Sequence, residues 1–103
     1  MNSIDVTKKY VLELRNNGVD IKQAYLFGSQ AKGKTWEGSD IDICLVFDYS
    51  SSQYEDVKRK MNKLAIKLDA RIEPVLFTPE EFANKYDSLA AEVKQFGIQI
   101  LPN

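Results

Sequence analysis

The apolar positions of this chain fall into two rhythms, one helical and one alternating, and the switches between them mark the elements. Residues 3–17 predict a first helix, with Ile4, Leu12 and Leu14 as its apolar positions. Ser3 or Asp5 is placed to cap it, and Gly18 to stop it. Residues 21–27 predict a strand that ends on Tyr25, Leu26 and Phe27, where Gly28 breaks it. Residues 28–38 hold three of the five glycines and the only tryptophan, Trp36, and predict a loop with one helical turn after Ser29. Residues 40–47 then alternate. Ile41, Ile43, Leu45 and Phe47 point one way, and Asp40, Asp42, Cys44 and Val46 the other. One face of this strand is suited to pack on helices, and the opposite face begins with two carboxylates.

Beyond a polar turn at 49–52, residues 53–69 predict a second helix with Val57, Met61, Leu64, Ala65 and Leu68 at helical spacing. Residues 71–77 return to strand through Ile72, Val75, Leu76 and Phe77. Pro74 cannot donate to a ladder, which favours an edge position or a local irregularity. Thr78, Pro79 and Glu81 form a helix start with a capping box. That third helix is expected to reach about Phe96 with a break near 87–88, after which Gly97 ends it and Ile98, Ile100 and Leu101 add a short strand. No repeat or low-complexity tract interrupts the order. The expectation is one small α/β (α+β) domain over residues 1–103, with helices packed on one face of a sheet.

Composition narrows the chemistry. Fourteen basic and fifteen acidic residues leave a formal charge of −1, so direct nucleic-acid binding is not expected. Histidine is absent, which excludes Ser-His and Cys-His catalysis and histidine-ligated zinc. Cys44 is the only cysteine, so there is neither an intrachain disulfide nor a cysteine metal cluster. The first fifteen residues carry Asp5, Lys8, Lys9, Glu13 and Arg15 and contain no signal-peptide core. No apolar run approaches the ~18 residues of a membrane span. A cytoplasmic protein without membrane contact is expected. Catalysis, if present, must use carboxylates, Lys, Tyr, Ser or a metal held by oxygen ligands.

One run supplies such groups: GSQAKGKTWEGSDID, from Gly28 to Asp42. Glycine at a strand end permits close approach of a phosphate to the backbone, and a helical turn starting at Ser29 would point free N–H groups and a hydroxyl at it. The bland alternative is a tight connection using glycine for geometry alone. Asp40 and Asp42, two apart on a strand, share one face at a spacing of roughly 6.5–7 Å. They can converge on one ion, or on two ions about 3.5–4 Å apart. The alternative is a strand-start turn with Asp42 on a wet face.

The segment LFGSQAKGKTWEGSDIDICLVF resembles the signature of the DNA polymerase beta-like nucleotidyltransferases, and is most similar to their minimal nucleotidyltransferases. Gly28 and Ser29, ten intervening residues, then Asp40 and Asp42 fit the family's spacing without a gap. Ala31, Gly33 and Ser39 match further positions, and the resemblance covers about residues 24–77. It implies a small mixed sheet of the polymerase beta palm type. It also implies a third carboxylate on a following strand, for which Glu73 in RIEPVLF stands 31 residues after Asp42. The family more often has aspartate there, and often has arginine where this chain has Gln30.

The resemblance implies two-metal nucleotidyl transfer. Asp40, Asp42 and Glu73 would bind two Mg²⁺ ions and carry catalysis. Gly28, Ser29 and Ser39 would contact the nucleotide, with ATP the default substrate. It further suggests an antitoxin that adds AMP to a tyrosine of a partner HEPN-domain toxin; a homodimer or hetero-oligomer is compatible with it. Two other readings remain. One is a binding antitoxin or interaction module with a vestigial site. The other is a transferase for a small molecule such as an aminoglycoside, whose pocket a dimer would have to complete. Lys32, Lys34 and Trp36 lie in the same loop. The lysines read as solvated by default, while Trp36 reads as a stacking platform or as a core anchor. Lys58, Arg59, Lys60 and Lys63 read as a solvated helix face, and Cys44 as a small buried filler.

Overall fold

The computed structural model describes residues 2–33 and 38–102. Its elements are α1 (Ser3–Asn16), β1 (Gln23–Phe27), β2 (Ile41–Val46), α2 (Tyr54–Leu68), β3 (Ile72–Phe77), α3 (Pro79–Ala83), α4 (Ser88–Phe96) and β4 (Ile98–Leu101). Lys34 and Trp36 lie outside the described residues.

The strands form one mixed sheet in the order β3-β2-β1-β4. β1 pairs antiparallel with β2 and β4, and β2 pairs parallel with β3. A parallel pair needs a long crossover, and α2 provides it. The alternation of β2 sorts the two faces. Ile41, Ile43, Leu45 and Phe47 join Tyr10 and Leu14 of α1 and Val57, Met61 and Leu64 of α2 in one core. The Tyr10 hydroxyl crosses this layer and donates to the Met61 carbonyl at 2.8 Å, so a buried polar group there is satisfied. Cys44 and Val46 point the other way. They pack with Phe27, Phe77, Phe82, Ala90 and Val93. The second face is therefore apolar beyond its carboxylate end, and the short α3 and α4 cover it there. Pro74 sits on β3, which is an edge strand, where its missing N–H can face outward.

Three local expectations shift. Asn2, and not Ser3 or Asp5, caps α1: its side chain accepts from the Asp5 amide at 2.9 Å. Leu12 is 57% exposed. The buried stripe of α1 is Val6, Tyr10 and Leu14, four residues apart, with Val11 beside it, and a position two residues off that stripe faces outward. The third helix is two helices. Asp87 accepts from the Ala90 amide at 3.0 Å and caps α4, so the chain restarts a helix there instead of continuing α3. The Thr78 capping box forms as expected, with both reciprocal bonds in place at 2.9 and 3.1 Å.

Among the described residues, no helix is long and apolar enough to cross a membrane. Cys44 is fully buried, and burial pushes its thiol up to about 12. A maleimide is therefore expected to label Cys44 only as fast as the protein opens, with fast labelling in denaturant. Rapid labelling of the native protein would show that α3 and α4 do not seal the second face.

Candidate active site

The site assembles where β1 ends and β2 begins. Phe27 pairs with Asp42 across the two strands, so the residue after Phe27 lies beside the Asp42 side chain. That residue is Gly28, at φ +72. A Cβ placed on it would stand 2.2 Å from Asp42 Oδ2. No side chain fits there. Glycine is required by the carboxylate as well as by the backbone angle, a reason invisible in the sequence. The Gly28 carbonyl accepts from the Lys32 amide at 3.2 Å, and the Gln30 carbonyl from the Gly33 amide at 3.4 Å. These bonds close the single helical turn expected after Ser29.

Asp42 lies on the α3/α4 face of the sheet with Cys44 and Val46. Across the parallel ladder it is in register with Glu73. In-register residues of neighbouring strands point to the same side, about 4.8 Å apart at the backbone. Asp40 is exposed, just before β2. Burial raises the Asp42 carboxyl above its ordinary range, and the charges of Asp40, Glu73 and Glu92 raise it further. The fold thus brings Asp40, Asp42 and Glu73 into one electrostatic neighbourhood. Among the described residues, none of the three pairs with a lysine or arginine. Ser29 is partly buried, and Ser39 is buried and held by an interaction of its own.

Sequence reasoning missed Glu92. It lies on α4 next to Val93, and only the docking of α4 on the sheet brings it near Asp42. Lys32 reaches it at 3.5 Å and stands over the Phe96 ring, 5.0 Å from its centroid. The loop lysine is exposed, as expected of a solvated side chain, and also reaches from the turn at 28–33 to α4.

The donor set is wholly oxygen and strongly anionic, which suits Mg²⁺ and not zinc or copper. Among the described residues, no three His, Cys, Asp or Glu side chains stand close enough to cage a metal by themselves. Mg²⁺ is commonly held by one or two carboxylates plus substrate phosphates and water, and not by a complete protein cage. Asp42 and Glu73, side by side with excess negative charge and the Gly28 turn beside them, fit that kind of site.

No curated protein matches the chain. Among solved structures, it is similar to a "putative nucleotidyltransferase" from Sulfolobus solfataricus, with a TM-score of 0.63 and 17% identity over 93% of this chain and 77% of that one. It is also similar to a toxin-antitoxin structure with AMP-PNP, at a TM-score of 0.60 and 23% identity over 90% of this chain and 71% of that one. A mutant of the toxin-antitoxin MntA-HpeT follows at a TM-score of 0.53 and 18% identity, over 90% and 71% of the two chains. These likenesses carry the fold. The polymerase beta, nucleotidyltransferase family model matches residues 8–100, which takes in the turn, all three carboxylates and the sheet that joins them. By that match, the chain belongs to the polymerase beta nucleotidyltransferase family.

Proposed function

We propose that this chain is a Mg²⁺-dependent nucleotidyltransferase that moves a nucleoside monophosphate, AMP from ATP, onto a hydroxyl of a partner protein. The observation that carries this reading is the register of Asp42 with Glu73, at the end of the sheet where Gly28 turns against the Asp42 carboxylate. Asp40, Asp42 and Glu73 would hold the two metal ions. Mg²⁺ bound there would neutralise phosphate charge and lower the pKa of the attacking hydroxyl. Gly28 and Ser29 offer backbone N–H groups and a hydroxyl to the β- and γ-phosphates. Ser39, buried at the entry to β2, would complete the nucleotide contacts. Glu73, exposed on β3, would accept the proton of the incoming hydroxyl. Pyrophosphate leaves as the hydroxyl oxygen bonds to the α-phosphorus. The solved toxin-antitoxin structures of the same fold, one of them holding AMP-PNP, support a toxin as the acceptor and ATP as the donor. In this reading the chain is an antitoxin, and its target is a tyrosine of a HEPN-domain toxin.

Glu73 and Gln30, where the family more often has aspartate and arginine, keep a second reading open, a binding antitoxin with a vestigial site. The two separate in one experiment. The chain is incubated with α-labelled ATP, Mg²⁺ and the protein encoded beside it, alongside Asp40→Asn. Label on the partner tyrosine that the variant abolishes supports transfer. Tight partner binding without label, unchanged in the variant, would sink it. Calorimetry on the chain alone gives an independent check. Mg²⁺ and ATP together are expected to raise the melting temperature by more than the sum of their separate effects. Purely additive shifts would mean that the phosphates do not complete the site.

A further inference from the structure

We propose that the groove between α1 and α2 is a docking site for an acidic segment of a protein partner, read by Arg59, Lys63 and Lys67. The groove has a volume of about 350 Å³. Arg59, Lys60, Lys63 and Lys67 line it from α2, Glu13 lines it from α1, and Leu64 forms an apolar part of its wall. It gathers four of the chain's 14 basic residues and one of its 15 acidic ones, so the rest of the molecule is clearly acidic.

The basic residues are not arranged for the helix's own benefit. Arg59, Lys63 and Lys67 follow one another at four-residue intervals, a spacing at which like charges weaken a helix. Asp56 relieves only the first turn, pairing with Arg59 and, at 3.2 Å, with Lys60. Lys60 is also drawn across to α1, donating to the Asn17 carbonyl at 3.0 Å. Lys63 and Lys67 make no ion pair among the described residues.

Arg59, Lys63 and Lys67 are exposed, as a solvated face requires, but Glu13 and Asn17 of the α1 side make the surface they share a groove, and Leu64 lies between them. Long basic side chains can cover such apolar surface with their stems while their heads meet carboxylates. That combination fits a peptide segment mixing Glu or Asp with an occasional Leu or Ile. A nucleic acid would need a broad basic surface, and this chain carries a net charge of −1, with four basic side chains gathered in this groove. The α1/α2 layer covers the sheet face opposite Asp42, Cys44 and Val46. A partner held there leaves the carboxylate end of the sheet open, and its binding can be measured apart from transfer.

The test uses the full chain and a fluorescein-labelled peptide rich in Glu and Leu, with a matched Lys and Leu peptide and a polyuridine RNA of equal charge as controls. The Glu peptide is expected to bind in low salt and to shift the amide resonances of residues 59–67 and of Glu13. Arg59→Gln with Lys63→Gln and Lys67→Gln should weaken it at least about tenfold, which is 1.4 kcal/mol, with ATP affinity unchanged. Lys63→Glu with Lys67→Glu should bind the Lys peptide instead, with the shifts confined to residues 59–67 and Glu13 in an otherwise native spectrum, which a misfolded variant would not show. Three results would each overturn the proposal: RNA binding more tightly than the peptide with shifts on the same residues, peptide shifts confined to another surface, or no peptide binding at low salt.

Discussion

Asp42→Asn is expected to stabilise the folded protein at neutral pH while reducing transfer at least about a hundredfold, the scale for losing one preorganised electrostatic contact. Both effects come from the same carboxylate. Asp42 is partly buried beside Asp40, Glu73 and Glu92, and no basic partner offsets it among the described residues. Its carboxyl is raised above the ordinary value in the folded state, so the folded chain keeps this proton at pH values where the unfolded chain has lost it. The associated stability is fully present below the ordinary carboxylate value. It is lost as pH rises from there to the raised native value. At neutral pH the wild type bears the whole penalty, and asparagine, of the same shape and uncharged, does not. Melting curves of the two proteins should therefore coincide in strong acid and separate by a few degrees towards neutral pH, the variant melting higher. Adding Mg²⁺ with ATP should raise the wild type and leave the variant almost unmoved. A variant that melts lower at neutral pH would mean that Asp42 has a stabilising partner, and the uncompensated site would be wrong.

The conflict between stability and function at Asp42 also explains what the sequence could disclose. The alternation of β2 placed Ile41, Ile43 and Leu45 in one core and Asp42 on the other face, because a strand's side-chain period is fixed by its backbone. Pro74 marked an edge strand through a missing donor, and Thr78 marked a helix start through a cap within four residues. These are local causes with local signatures. Leu12 faces outward because hydrophobicity alone does not choose a helix face; the packing of Val6, Tyr10 and Leu14 on α2 and the sheet does. Glu92 was out of reach for the same reason: nothing near it in sequence says that α4 docks beside Asp42. The pairing of Asp42 with Glu73 lies between these cases. A strand-helix-strand order made a parallel neighbour foreseeable, but the register that sets those two residues side by side is fixed by the whole β2/β3 ladder.

Gly28→Ala is expected to be the most damaging single change of one methyl in the chain. Its φ of +72 lies in the left-handed region, where an alanine costs about 1–2 kcal/mol. The new Cβ would also fall 2.2 Å from Asp42 Oδ2, well inside van der Waals contact. Either the turn at 28–33 moves or the carboxylate does, and both displace a group from the proposed phosphate and metal site. Transfer should fall at least about a hundredfold, since even a displacement of about 1 Å can cost that much. A double-mutant cycle separates the two causes. In an Asp42→Ala background the overlapping oxygen is gone, so Gly28→Ala should cost only the backbone term, and its effect on melting temperature should be smaller than in the wild type. Contacting residues are where such non-additivity is expected. Equal effects in the two backgrounds would place the Asp42 carboxylate away from Gly28, and the close packing of turn against carboxylate, on which the site depends, would be refuted.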